Sequence, residues 1–96
     1  MSTVVLTQGG ELDISTIPGL MLRLEPHRRP GRRVVLDLRG VVFMDCFSLG
    51  HIVRAHADSA TEGWTLSVRV EAPSVVRLLE LTGAAKLLPL ELVTTA

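Results

Sequence analysis

Apolar positions recur along the chain with two periods, and the switches between them lay out the fold. Thr3-Val4-Val5-Leu6-Thr7 is a β-branched run that predicts a short strand. Gly9-Gly10 is expected to break it, and Glu11-Leu12-Asp13 then leads to Ser15 and Thr16, either of which suits a helix cap. Ile17, Leu20, Met21 and Leu24 follow at helical spacing, with Pro18 in the first turn and Pro26 and Pro30-Gly31 as stops. Val34 to Leu38 predicts the clearest strand, with Val34, Leu36 and Leu38 inward and Val35 and Asp37 outward. Val41-Val42-Phe43-Met44 carries the chain on to Asp45.

Leu49, Ile52, Val53, His56, Ala57 and Ala60 mark the apolar stripe of a second helix, closed by Gly63. Trp64, Leu66, Val68 and Val70 alternate with Thr65, Ser67, Arg69 and Glu71, the pattern of a strand with one dry face. A third helix is expected after Pro73-Ser74, with Val75, Leu78, Leu79 and Thr82 inward and Gly83 just past its end. Leu90 to Val93 predicts a last short strand.

The order β-α-β-α-β-α-β implies an α/β fold on a mostly parallel sheet of about four strands, joined by right-handed crossovers. A sheet covered on both faces would show uninterrupted apolar strands. The alternation predicts instead that the helices pack mainly on one face and leave the other partly open. An open sheet edge would favour weak self-association into a homodimer.

Composition narrows the function. At 96 residues, positions 1–96 form one domain. Ten basic and ten acidic side chains cancel, so no global field attracts nucleic acid or an anionic membrane. The single cysteine excludes an internal disulfide and fits a reducing compartment. No apolar run approaches the ~18 residues of a membrane span, and the start lacks a basic-then-apolar signal segment, so a cytoplasmic protein is expected.

Catalytic hardware is hard to find. The chain has no Gly-x-x-x-x-Gly-Lys loop and no Gly-x-Gly-x-x-Gly turn, and no cofactor is expected. His51 and His56 are five apart, a spacing that fits no helical metal pair, and no metal is expected either. His56 lies on the apolar stripe as a packed or boundary residue, and His51 faces away from it. Asp13, Asp37 and Asp45 sit near the C-terminal ends of the first two strands, where they serve caps and turns or, alternatively, a paired-carboxylate site. The cluster His27-Arg28-Arg29-Pro30-Gly31-Arg32-Arg33 reads as a solvated loop, with an acidic partner as the alternative. It has no interleaved aromatics to stack bases, so no nucleic-acid partner is expected.

Three stretches together resemble a known family. Gly10-Glu11-Leu12-Asp13-Ile14-Ser15-Thr16 is similar to the Gly-Glu-Leu-Asp turn that opens the first helix of STAS domains (sulfate transporter and anti-sigma factor antagonist). Val34-Val35-Leu36-Asp37-Leu38 with Val42-Phe43-Met44-Asp45 resembles the family's central strand and its approach to the signature turn, and Leu78-Leu79-Glu80-Leu81-Thr82-Gly83 its third helix. The resemblance implies a non-catalytic module that binds a kinase-like anti-sigma factor and regulates sigma-factor-dependent transcription. In that family the kinase phosphorylates a hydroxyl residue at the start of the second helix, and the added charge of about −1.5 to −2 separates the complex.

The signature departs from its usual form. Where the family reads Asp-Ser-(Ser/Thr)-Gly-Leu-Gly, this chain has Asp45-Cys46-Phe47-Ser48-Leu49-Gly50, so Phe47 stands at the acceptor position and Ser48 where glycine is usual. The expected partner surface is Asp13 with Asp45, Cys46, Phe47, Ser48, Leu49 and Gly50. Ser48 is a cap or first-turn residue, or a substitute phosphorylation site. Cys46 is a small residue packed in the turn, or a thiol activated by the helix N-terminus. Phe47 folds back as a staple on the core, or stands out as an anchor for a partner. The alternatives to the antagonist role are a STAS subunit regulating a bacterial lipid-transport ATPase, and a small thiol or acid–base enzyme using Cys46 or Asp45.

Overall fold

The computed structural model describes residues 2–92. Strands β1 (Ser2–Leu12), β2 (Arg32–Met44), β3 (Thr65–Val70) and β4 (Leu90–Leu92) lie side by side in that order, all parallel. Because spatial order equals chain order, right-handed crossovers stack α1 (Ile17–Leu24), α2 (Cys46–Glu62) and α3 (Pro73–Thr82) on one face. Leu6, Val34, Leu36, Leu38, Leu66 and Val68 point into that layer and meet Leu20 and Leu24 of α1, Leu49, Ile52 and Ala55 of α2, and Val75 and Leu79 of α3.

Among the described residues the opposite face has no helix. Register places Val35 between Val5 and Ser67, and Asp37 between Thr7 and Arg69. Val35 and Asp37 point away from the helices as expected, yet both are only 7% exposed. Arg39 grips the two oxygens of Asp37 at 2.8 and 2.7 Å, and Arg69 stands 4.0 Å away. The Arg39 hydrogen bonds outweigh burial and hold the Asp37 carboxyl below the ordinary aspartate range. Since β2 runs on to Met44, Asp37 lies in mid-strand rather than near the strand end where the sequence placed it.

Gly9-Gly10 does not break β1. The strand passes through both glycines with register slips between Thr7 and Gly9 and between Gly10 and Glu11, and Gly10 takes φ 76°. Glycine ends an isolated strand, but against a partner strand it permits bulges. Here Gly9 faces Gly40, and a Cβ on Gly40 would come into van der Waals contact with the Gly9 Cα at 3.4 Å. The bulges bring Leu12 level with Met44 and set the turns after β1 and β2 side by side.

Other elements correct the sequence reading in detail. Ser15 and Thr16 do not cap α1 with their side chains; the Thr16 hydroxyl donates to the Glu11 carbonyl at 2.8 Å and accepts the Asp13 N–H at 2.9 Å. On α2 the buried set is Ser48, Leu49, Ile52, Ala55 and Ser59, while Ala57 and Ala60 are exposed. Leu49 and Ile52 orient the helix, and small residues three and four apart follow them inward whatever their polarity. Thr82 is exposed, and its hydroxyl donates to the Leu78 carbonyl at 2.8 Å. Gly63 and Gly83 end their helices at φ 81° as expected. Val93, at the end of the predicted last strand, lies outside the described residues.

The basic loop is partly built in. Arg28 bonds Glu62 at 3.0 and 2.9 Å and Asp58 at 3.1 Å, and its guanidinium lies 5.5 Å from the centre of the Trp64 ring. The Trp64 indole N–H donates to the same Glu62 at 2.8 Å, so Arg28 fastens the loop before β2 to the end of α2. Among the described residues no helix is long and apolar enough to cross a membrane.

Candidate functional site

The signature turn is assembled by the backbone. The Asp45 N–H donates to the Leu12 carbonyl at 3.0 Å, which ties the end of β2 to the end of β1. Asp45 itself is extended (φ −89°, ψ 166°), and its carboxylate accepts the Ser48 N–H at 2.7 Å. The Leu49 N–H then bonds the Asp45 carbonyl at 3.1 Å and starts α2. An acidic cap satisfies a free helix donor and opposes the positive end of the helix dipole. Asp45→Ala is expected to cost about 1 kcal/mol of stability; urea unfolding checks this, and an unchanged midpoint would contradict the capping role.

Asp13 does parallel work in the adjacent turn. Its carboxylate accepts the Ser15 hydroxyl at 2.6 Å, the Ser15 N–H at 2.9 Å and the Thr16 N–H at 3.1 Å. The Ser15 hydroxyl is the main reason the carboxyl sits below its ordinary range. Asp13 and Asp45 are thus both occupied in shaping turns, the first of the two readings their spacing allowed.

The side chains of the turn divide by helical direction. Phe47 is 49% exposed, and its ring meets that of His51 edge-on, with centroids 4.8 Å apart at 68°. It therefore stands out from the core. Cys46, the first residue of α2, is exposed and not packed in the turn. Gly50 is exposed, and a Cβ there would meet nothing within 4 Å. Ser48 and Leu49 go the other way, at 0% and 4% exposure. The Ser48 hydroxyl has no hydrogen-bond partner in its buried position. In this conformation the Ser48 hydroxyl is shut away from the surface, and Leu49 shows only a small edge of its side chain.

Cys46, Phe47, Gly50, His51 and Arg54 line one shallow depression at the surface. A second, of about 270 Å³, runs between α2 and the segment after α3, lined chiefly by Leu49, Val53, Ala84 and Leu87. His51 and Arg54 were absent from the sequence-predicted surface. The i, i+4 spacing of Phe47 and His51 was the available signal. Ile14, Val42 and Phe43 are also exposed, at 67%, 62% and 47%, in or beside the turns that follow β1 and β2.

Fold and site define a class: a parallel α/β domain covered on one face, presenting an aromatic residue from a capped helix start. The family model described as "Mlab, STAS domain" matches residues 1–93, and the chain belongs to the STAS domain family. It is similar to the anti-sigma F factor antagonist of Paenibacillus polymyxa, 29% identical over 91% of this chain and 76% of that protein. It is likewise similar to the anti-sigma-B factor antagonist of Staphylococcus aureus (strain NCTC 8325 / PS 47), 36% identical over 83% of this chain and 75% of the relative.

Proposed function

We propose that this chain is a non-catalytic, cytoplasmic docking module of the anti-sigma factor antagonist type, which binds a kinase-like anti-sigma factor through the start of α2 and the Asp13 turn. The observation that carries the reading is Phe47, half exposed and braced by His51 on a helix start fixed by Asp45. A rigid, partly solvated aromatic is the residue type that concentrates binding energy when a partner removes it from water. Phenylalanine carries no hydroxyl, and the neighbouring Ser48 hydroxyl is buried, so the module lacks the phosphoswitch of its family. The complex is set by concentration alone.

The test is to mix the purified chain with the kinase-like anti-sigma factor encoded in the same genome, with and without ATP. Calorimetry is expected to show an equimolar complex of unchanged affinity, and intact-mass analysis an unmodified chain. A stoichiometric phosphate on the chain would overturn the switchless reading. Lack of binding would overturn the choice of partner.

A second reading rests on how apolar this edge is. Ile14, Val42, Phe43 and Phe47 are all exposed there, and permanent subunit interfaces are more apolar than transient ones. A STAS subunit held permanently in a bacterial lipid-transport ATPase fits that character. Co-purification with an ATPase and permease, in place of an anti-sigma factor, distinguishes the two.

A further inference from the structure

We propose that a second copy of this chain pairs antiparallel with the free edge of β1, joining two four-stranded sheets into one. Among the described residues β1 ends the strand order and pairs on one side only, with β2. Long edge strands are normally blunted by lysine, proline or inward charge. Ser2-Thr3-Val4-Val5-Leu6-Thr7-Gln8 contains none of these, and Thr3 and Val5 are exposed.

The structure shows where the edge is open and where it is guarded. Arg23 of α1 donates to the Thr7 carbonyl at 3.0 Å and to the Gln8 side chain at 3.1 Å. Its approach marks Thr7 as a residue whose backbone turns away from β2. In an extended strand the N–H and C=O of one residue share a side, and the side alternates. Val5 and Thr3 therefore also present their backbone groups outward, while Val4 and Leu6 bond β2. Beyond Thr7 the register slips at the glycines and the straight ladder ends. The usable edge is Ser2 to Leu6.

A second copy fits this short edge better than an unrelated strand, because the edge is self-complementary. A two-fold axis at Val4 sets Thr3 against Val5 of the partner copy on both sides and allows roughly four backbone hydrogen bonds. Residues whose numbers sum to eight share parity, so Val4 meets Val4 and Ser2 meets Leu6 on the helix-covered face, and Thr3 meets Val5 on the open one. Each copy's dry face thus continues into the other's, which a one-residue slip would destroy. The segment is uncharged, so two copies meet without repulsion. The contact is small beside the ~1,600 Å² of a standard interface, and the dimer is correspondingly weak, with a Kd on the order of 10⁻⁴ M.

Sedimentation equilibrium between about 0.02 and 1 mM tests this: the weight-average mass should climb from monomer toward dimer. Val5→Pro removes an outward N–H without touching the β1–β2 ladder, a place where an edge strand tolerates proline. It should weaken association at least tenfold, and Thr3→Lys, which places a charge on the edge, should do the same while keeping the fold if Val5→Pro does not. A wild-type chain monomeric at 1 mM would overturn the proposal. So would self-association undiminished in Thr3→Lys. Neither result bears on partner docking at the opposite end of the sheet.

Discussion

Phe47→Ala should weaken the complex with the anti-sigma factor about thirtyfold and lower the melting temperature of the free chain by only about 4–8 °C. About half of the ring is exposed in the free chain, which for an aromatic leaves roughly 80 Å² to be removed from water on docking. At ~25 cal/mol per Å² that is about 2 kcal/mol, or a factor of roughly 30 in Kd. Folding gains about 1 kcal/mol from the half of the ring already covered in the free chain, part of which meets His51 edge-on at the surface. Titration calorimetry and thermal melts of the variant separate the two effects. Unchanged affinity would move the anchor elsewhere on the edge; a large drop in melting temperature would make Phe47 a folding residue.

Leu36→Ala should destabilise the fold by about 2–5 kcal/mol, the largest loss expected for any substitution discussed here. Leu36 is completely buried at the centre of β2, flanked by Leu6 and Val68, and faces the helix layer. A domain of this size has only about 5–14 kcal/mol in total, so the loss is a large share of its stability and should appear as a clearly lowered urea midpoint. Val35→Ala, one residue away on the face without helices, supplies the control. Val35 is nearly as buried but lies outside the core cluster, between Val5 and Ser67. Its loss should cost less than half as much in urea unfolding. Equal costs would contradict a core confined to one face.

How much of this was legible depended on whether the information was local. Alternation in β3 and helical spacing in α1 and α3 are local, and both placed the elements and their dry faces. The fate of Gly9-Gly10 is not local. The same pair reads as a stop or as a bulge, and only the pairing with β2 decides. The rotation of α2 was missed because Ala55, Ala57 and Ala60 look alike until the helix is oriented by Leu49 and Ile52. With those two inward, 100° per residue turns Ser48 toward the core and Phe47 away from it. The staple reading of Phe47 could thus have been excluded from the sequence. The burial of Asp37 could not, because it depends on Arg39 and Arg69 closing over a face that carries no helix.

The bonds that shape the signature turn run between Asp45, the Ser48 N–H and the backbone of Leu12 and Leu49. The outward side chains of Cys46 and Phe47 supply none of them, and Gly50 has no side chain to do so. The turn is therefore a fixed socket with interchangeable fittings: its contour is written in one carboxylate and the peptide backbone, while its chemistry is written in three positions that can vary without disturbing it. A lineage can change what this surface recognises at those positions without re-solving how the chain folds.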